Sequence, residues 1–191
     1  MAELVHIVGI PGSLRAESFN RKLLRAAQEL LPPDTTLELA ELAGIPPFNE
    51  DEETKPPAPV RELRAKVRAA DAVLFAVPEY NYGVAGVLKN AIDWGSRPRT
   101  ENCWNGKPVA CVSASVGMLG GARAVYQLRQ SFVFLNMRPI NLPEVFVSFA
   151  PQKFDAAGRF TDDAGRKILA SLLLELSQWT RLLRSAPPSS G

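Results

Sequence analysis

Apolar runs alternate with helical-period stripes along nearly the whole chain. Residues 5–10 form a largely apolar run bounded by Pro11 and Gly12, which reads as a buried strand. Leu23, Leu24, Ala27, Leu30 and Leu31 follow as a helical stripe that Pro32 and Pro33 stop. Residues 36–42 alternate apolar Leu37 and Leu39 with Glu38 and Ala40, the pattern of a half-exposed edge strand. A long proline-rich loop over residues 44–59 leads to Val60, Leu63 and Val67, the stripe of a second helix. Residues 72–77 are almost wholly apolar, which predicts a central strand. Val84, Val87, Leu88, Ala91 and Ile92 stripe a third helix, residues 108–112 a fourth strand, and Val125, Leu128, Phe132 and Leu135 a fourth helix. Residues 145–149 give a fifth strand, with Pro143 just before it suiting an edge. Ile168, Leu172, Leu176 and Leu183 mark the last helix, with Thr161 as its expected N-cap.

Strictly alternating strands and helices predict an α/β chain with a parallel sheet covered on both faces. Strands one, three and four are the most apolar, which favours the order 2-1-3-4-5. That is a flavodoxin-like three-layer sandwich of five parallel strands. No internal repeat or second domain appears, so residues 1–184 are expected to form one domain, with 185–191 a disordered tail. Ligands in such sheets bind at the carboxyl ends of the strands, where the strand order reverses. The loops that follow residues 10, 77 and 113 are therefore the ones to inspect.

Bulk properties narrow the function classes. The 191 residues carry a net charge of only +2. The basic residues are scattered: Arg61, Arg64, Lys66 and Arg68 share a helix with Glu62, a solvated face and no nucleic-acid footprint. The two cysteines, Cys103 and Cys111, form no CxxC pair, and the N-terminus shows no basic-then-apolar signal. A reduced, cytoplasmic protein is expected, with no membrane partner.

Three loops hold the candidate chemistry. In the first, Ser13, Arg15, Ser18 and Asn20 gather at the start of a helix. Hydroxyls, a guanidinium and free N–H groups at a helix N-terminus suit a phosphate. Capping accounts for one of these residues but not for all of them together with Arg15. No Gly-Lys-Ser/Thr follows Gly12 and no GxGxxG is present, which disfavours nucleoside triphosphates and ordinary dinucleotides. The second loop, Pro78-Glu79-Tyr80-Asn81-Tyr82-Gly83, leaves the central strand with two rings and an amide. It offers a stacking surface for a planar heterocycle, unless the tyrosines pack beneath the loop. The third, residues 113–121, has Ser113, Ser115 and Gly117 in a glycine-rich run that offers N–H donors to a carbonyl-rich ring. A phosphate on one loop and a flat polar ring between two others describe flavin mononucleotide (FMN).

The motifs GSLRAESFNRKLL (12–24), PEYNYGVAGVLKNAIDW (78–94) and SASVGMLGGARA (113–124) resemble the NADPH-dependent FMN reductase family, which includes quinone, azo and chromate reductases. The resemblance implies non-covalent FMN in a flavodoxin-like fold, with NADPH or NADH as co-substrate and a small-molecule electron acceptor. It assigns the phosphate to Ser13, Arg15, Ser18, Phe19 and Asn20. Pro78, Glu79, Tyr80 and Asn81 would lie along the ring and ribityl chain, and Ser115 and Gly117 would border the ring's far edge. It also implies a homodimer or homotetramer, with Lys89, Asn90, Asp93 and Trp94 offered to a subunit contact rather than to solvent. Ala85 departs from the family pattern, where a proline often precedes the glycine.

Such a site needs no catalytic acid or base, because the flavin carries the hydride chemistry. His6, the single histidine, lies inside the first strand and is expected to pack there, which removes a Ser-His-Asp triad and a structural zinc site. Cys111 is not followed by the arginine of a phosphatase loop. Arg97 and Arg99 are candidates to meet the phosphates of NADPH. An electron carrier or a redox sensor on the same fold is the alternative to an enzyme. A near-neutral charge counts against a carrier, which would dock by strong charge.

Overall fold

A computed structural model describes residues 3–185. Its main sheet contains β1 (Val5–Pro11), β2 (Thr35–Leu39), β3 (Ala72–Ala76), β6 (Pro108–Ala114), β7 (Arg138–Pro139) and β8 (Val145–Val147). All are parallel, in the order β2-β1-β3-β6, with β7 and β8 both on the free edge of β6. A separate antiparallel hairpin joins β4 (Glu79–Tyr80) to β5 (Gly83–Val84). The helices are α1 (Phe19–Glu29), α2 (Ala58–Ala69), α3 (Gly86–Gly95), α4 (Ala122–Leu135) and α5 (Asp163–Ser185).

Alternation within the buried strands supplies both faces of the sandwich. Val5 and Ile7 of β1 and Leu74 of β3 point to the cluster under α1 and α5, with Leu23, Leu24, Leu172 and Leu176. Val8, Ile10 and Phe75 point the other way, into the cluster under α2, α3 and α4, with Leu63, Leu88, Leu128 and Phe132. Phe75 is fully buried and packs on Trp104 and Phe132. Burial of a side chain of this size is worth about 1.5–3 kcal/mol.

The flavodoxin-like order holds, but the fifth position is one strand in two pieces. β7 pairs with the start of β6 and β8 with its end. Residues 140–144 between them lie outside both pieces, Ile140 N still donating to Val109 O at 3.0 Å, and include the cis bond Leu142-Pro143. The strand expected over 145–149 therefore stops at Val147, and Phe149 takes a left-handed conformation, φ 49°. Thr161 is not the N-cap of α5. Its hydroxyl donates to Lys153 O, while Arg166 N bonds Asp162 O, so the helix starts after Asp162. α5 runs through Ser185, and the rest of the expected tail, 186–191, lies outside the described residues.

The proline-rich loop is tied down by α3. Asn90 Oδ1 accepts from Phe48 N at 2.7 Å, and both Asn90 Nδ2 and Trp94 Nε1 donate to Pro46 O at 2.8 Å. The Phe48 ring meets Trp94 edge-on, with centroids 5.0 Å apart. The subunit contact expected of Asn90 and Trp94 is thus replaced by an internal one; Trp94 is fully buried. Lys89 and Asp93 remain outside as an i,i+4 ion pair. His6 packs at the β1/β2 edge as expected, its Nδ1 3.0 Å from Thr36 Oγ1.

Candidate functional site

The carboxyl ends of β1, β3 and β6 bring the three loops together. Gly12 makes the first approach possible: its N–H donates to Ala76 O, and a Cβ there would lie 2.6 Å from Pro78 Cδ. Gly121 does the same for the third loop. It has φ +89°, and a Cβ would fall 1.9 Å from Ser113 Oγ, whose hydroxyl donates to Val77 O. These contacts hold loops one and three against the end of β3.

A cleft of about 100 Å³ opens between them. It is lined by Ser13, Arg15, Ser18, Phe19, Asn20, Pro78, Glu79, Tyr80 and Ser115, with Ala114 and Val116. Every residue that the family resemblance assigns to FMN is in that lining except Asn81 and Gly117. Asn81 stands at the exposed hairpin tip, with φ +50°, and Gly117 is turned outward in loop three. Larger hollows exist elsewhere, including one of about 410 Å³ lined by Val84, Lys89, Gln127 and Ser131. The smaller cleft is the stronger candidate on chemistry, because charged, hydroxyl and aromatic groups converge in it.

Ser13 and Ser18 are both buried. Ser18 is the N-cap of α1 and accepts from Arg21 N at 3.4 Å, while Ser13 Oγ accepts from Arg15 N at 3.3 Å. The first N–H groups of α1 emerge beside them without intrahelical partners. Arg15 is exposed and has no acidic partner among the described residues. The nearby Glu17 is paired with Lys22 Nζ at 2.6 Å, which chiefly holds its carboxyl below the usual range. The pocket end of loop one therefore has a free positive charge, two hydroxyls and a helix N-terminus. That donor set suits a dianionic phosphate.

Asn20 also ties the fold together. Its Nδ2 donates to Ala114 O at 2.9 Å and its Oδ1 accepts from Ala114 N at 3.0 Å. Both ends of the amide brace α1 against β6, which leaves one Nδ2 hydrogen and one Oδ1 lone pair over where Asn20 lines the cleft.

Tyr80 is 51% exposed, so its ring is not core packing. Tyr82 stands further out, in the two-residue turn of the hairpin with φ +67°. Its ring is covered by the Arg123 guanidinium, whose carbon is 3.4 Å from the ring centroid. Arg123 Nε also bonds Glu79 Oε1 at 2.7 Å, and a second bond runs from its Nη2 to the same oxygen. Arg123 was not singled out from the sequence. The available signal was its position at the start of α4, inside the third motif.

The remaining chemical groups stand apart. Burial pushes the thiols of Cys103 and Cys111 up to about 12, which keeps both protonated and poor as nucleophiles. Arg97 and Arg99 follow α3, which starts at the ligand end of the sheet and runs about 15 Å away from it. Their guanidiniums stack on Phe134, 5.6 and 4.8 Å from the ring centroid. They therefore lie at the end of the sheet opposite the cleft.

Comparisons with known proteins show the family. A family model described as NADPH-dependent FMN reductase matches residues 5–152. An NAD(P)H-dependent FMN reductase of Pseudomonas aeruginosa is 50% identical over 186 residues, covering 96% of this chain and all of the relative. A quinone reductase of Pseudomonas putida is 41% identical, over 97% of this chain and all of the relative. Among solved structures, FerB from Paracoccus denitrificans, a flavoenzyme NAD(P)H:(acceptor) oxidoreductase, superposes with a TM-score of 0.86 at 31% identity. That match covers 94% of this chain and 98% of the other.

Proposed function

The chain belongs to the NADPH-dependent FMN reductase family, and on that premise we propose that the cleft between the three loops is its FMN site. The protein is an FMN-dependent NAD(P)H oxidoreductase that serves quinone-type acceptors. When bound, the flavin supplies the two-electron chemistry, taking hydride from NAD(P)H and returning electrons to the acceptor.

The observation that carries the site assignment is the unpaired Arg15 guanidinium beside two buried serines at the start of α1. Ser13, Arg15, Ser18 and the Phe19 N–H hold the phosphate by charge and hydrogen bonding. Asn20 fixes α1 to β6 so that those donors stay aimed. Pro78, Glu79 and Tyr80 flank the ring on one side and Ser115 on the other. Asn81 and Gly117 belong to the rim, where the nicotinamide and the acceptor arrive in turn. The acceptor class includes quinones, free flavin and similar molecules, with NADPH as the donor. Tyr126, 50% exposed, and Val133, 86% exposed, stand two turns apart on one outer face of α4, which supports a homodimer or homotetramer. No described helix is long and apolar enough to cross a membrane, and we place the protein in the cytoplasm.

The test is purification without added flavin, followed by assay. The protein should be yellow, release FMN on denaturation and oxidise NADPH with a quinone as acceptor. A colourless protein that takes up no FMN on titration would end this reading.

A further inference from the structure

Glu79 is a carboxylate in the wall of the cleft, with a side chain only 8% exposed. An unpaired carboxylate there would be costly to bury and would oppose negative charge arriving on a neighbouring ring. Its charge is met from one side, by Arg123. Two guanidinium nitrogens of Arg123 bond Glu79 Oε1, and the Ala124 N–H reaches Oε2 at 3.4 Å.

The same arginine controls the hairpin. Only two residues pair on each strand, too few for a hairpin to hold itself in water. Its geometry comes from α4. Arg123 lies flat on Tyr82, and Gln127, one turn later, accepts from Val84 N at 2.7 Å. Tyr80, which lines the cleft, sits between Glu79 and Tyr82, both held by Arg123.

We propose that Arg123 is a positioning residue for the redox reaction: through Glu79 it fixes the hairpin that brings Tyr80 to the flavin, and it cancels a carboxylate that would resist reduction of the bound ring. This deepens the reading of the cleft as the FMN site and rests on it. A purely structural brace would act on folding alone. A residue that acts through Glu79 leaves a signature in the flavin that depends on the charge of residue 79.

The experiment compares wild type, Arg123→Met, Glu79→Gln, the double variant, and Arg15→Ala. Two quantities are read: the dissociation constant of FMN by titration of apoprotein, and the midpoint potential of the bound flavin. Arg123→Met should weaken FMN roughly tenfold, the scale of one charge-assisted hydrogen bond, and move the potential to more negative values. The double variant should regain most of both, because a neutral amide leaves no bare charge. Glu79→Gln alone, with the guanidinium unopposed, should move the potential the other way, and this variant decides the matter if Arg123→Met does not fold. An unchanged potential in both single variants, or a double variant no better than Arg123→Met, would overturn the proposal. Arg15→Ala separates the two readings. If it keeps its flavin, the phosphate assignment fails on its own; if it loses flavin while the Arg123 and Glu79 variants stay silent, only the present inference fails.

Discussion

The two edges of the sheet use their polar groups in opposite ways. At the lower edge, where the strands begin, the cations are turned inward to close the ends of the chain's own elements. Arg64 is buried and gives two bonds to Trp94 O, at 3.1 and 2.9 Å, near the end of α3. Lys107 Nζ donates to Arg68 O and Ala70 O, and Arg184 joins Asp71 and Leu4 O. At the upper edge, Arg15 stays exposed beside buried serines and a helix start. The same residue type closes the fold at one end and is left open to a ligand at the other. What distinguishes the two is whether a carbonyl or carboxylate of the protein already sits in reach.

The largest expected effect comes from breaking the closed end. Arg64→Ala removes a buried side chain with two hydrogen bonds and leaves Trp94 O only the long bond from Arg97 N, at 3.4 Å, for a loss of about 2–4 kcal/mol in urea unfolding. FMN affinity of the folded protein should not change. If flavin is lost with little loss of stability, the division between the edges is wrong.

How much of this was legible in the sequence follows from how local each signal is. The strands and helices were read because each is an apolar run or a stripe of its own. The interrupted fifth strand was not, because β7 is two residues ending in a proline and has no period to detect. The hairpin was read as a loop for the same reason. Most of the cleft was legible because three motifs each follow a recognisable strand, and a parallel sheet brings their ends together. The internal bonds of Asn20, Asn90 and Trp94 are not legible because their partners, at Ala114, Phe48 and Pro46, are distant in the chain. Arg97 and Arg99 looked close to the site by sequence, but an intervening helix carries them to the far edge.

The intermediate effect is at the open end. Arg15→Ala should weaken FMN roughly 10- to 100-fold, the worth of one or two charge-assisted bonds. Unfolding of the flavin-free protein should stay within about 0.5 kcal/mol of wild type. The flavin-loaded protein should melt lower, because less ligand is held in the native state. Flavin content measured after gel filtration checks the first part and calorimetry the rest; unchanged flavin content would count against the open edge as a phosphate site.

The smallest effect sharpens the comparison from the other side. Arg97→Ala with Arg99→Ala should change KM for NADPH and for NADH by the same factor, because neither residue lies near the cleft. A selective loss with NADPH would show that the lower edge also reaches the co-substrate.

The amide of Asn20 closes a two-point clasp on the backbone of Ala114. In the proposed site, the start of α1 and the end of β6 are therefore two parts of a single piece. A cradle of this kind is preorganised: little conformational entropy is left to lose when the cofactor arrives, and more of each contact survives as net affinity. A side chain committed to holding two loops together thus helps decide how tightly the cofactor stays.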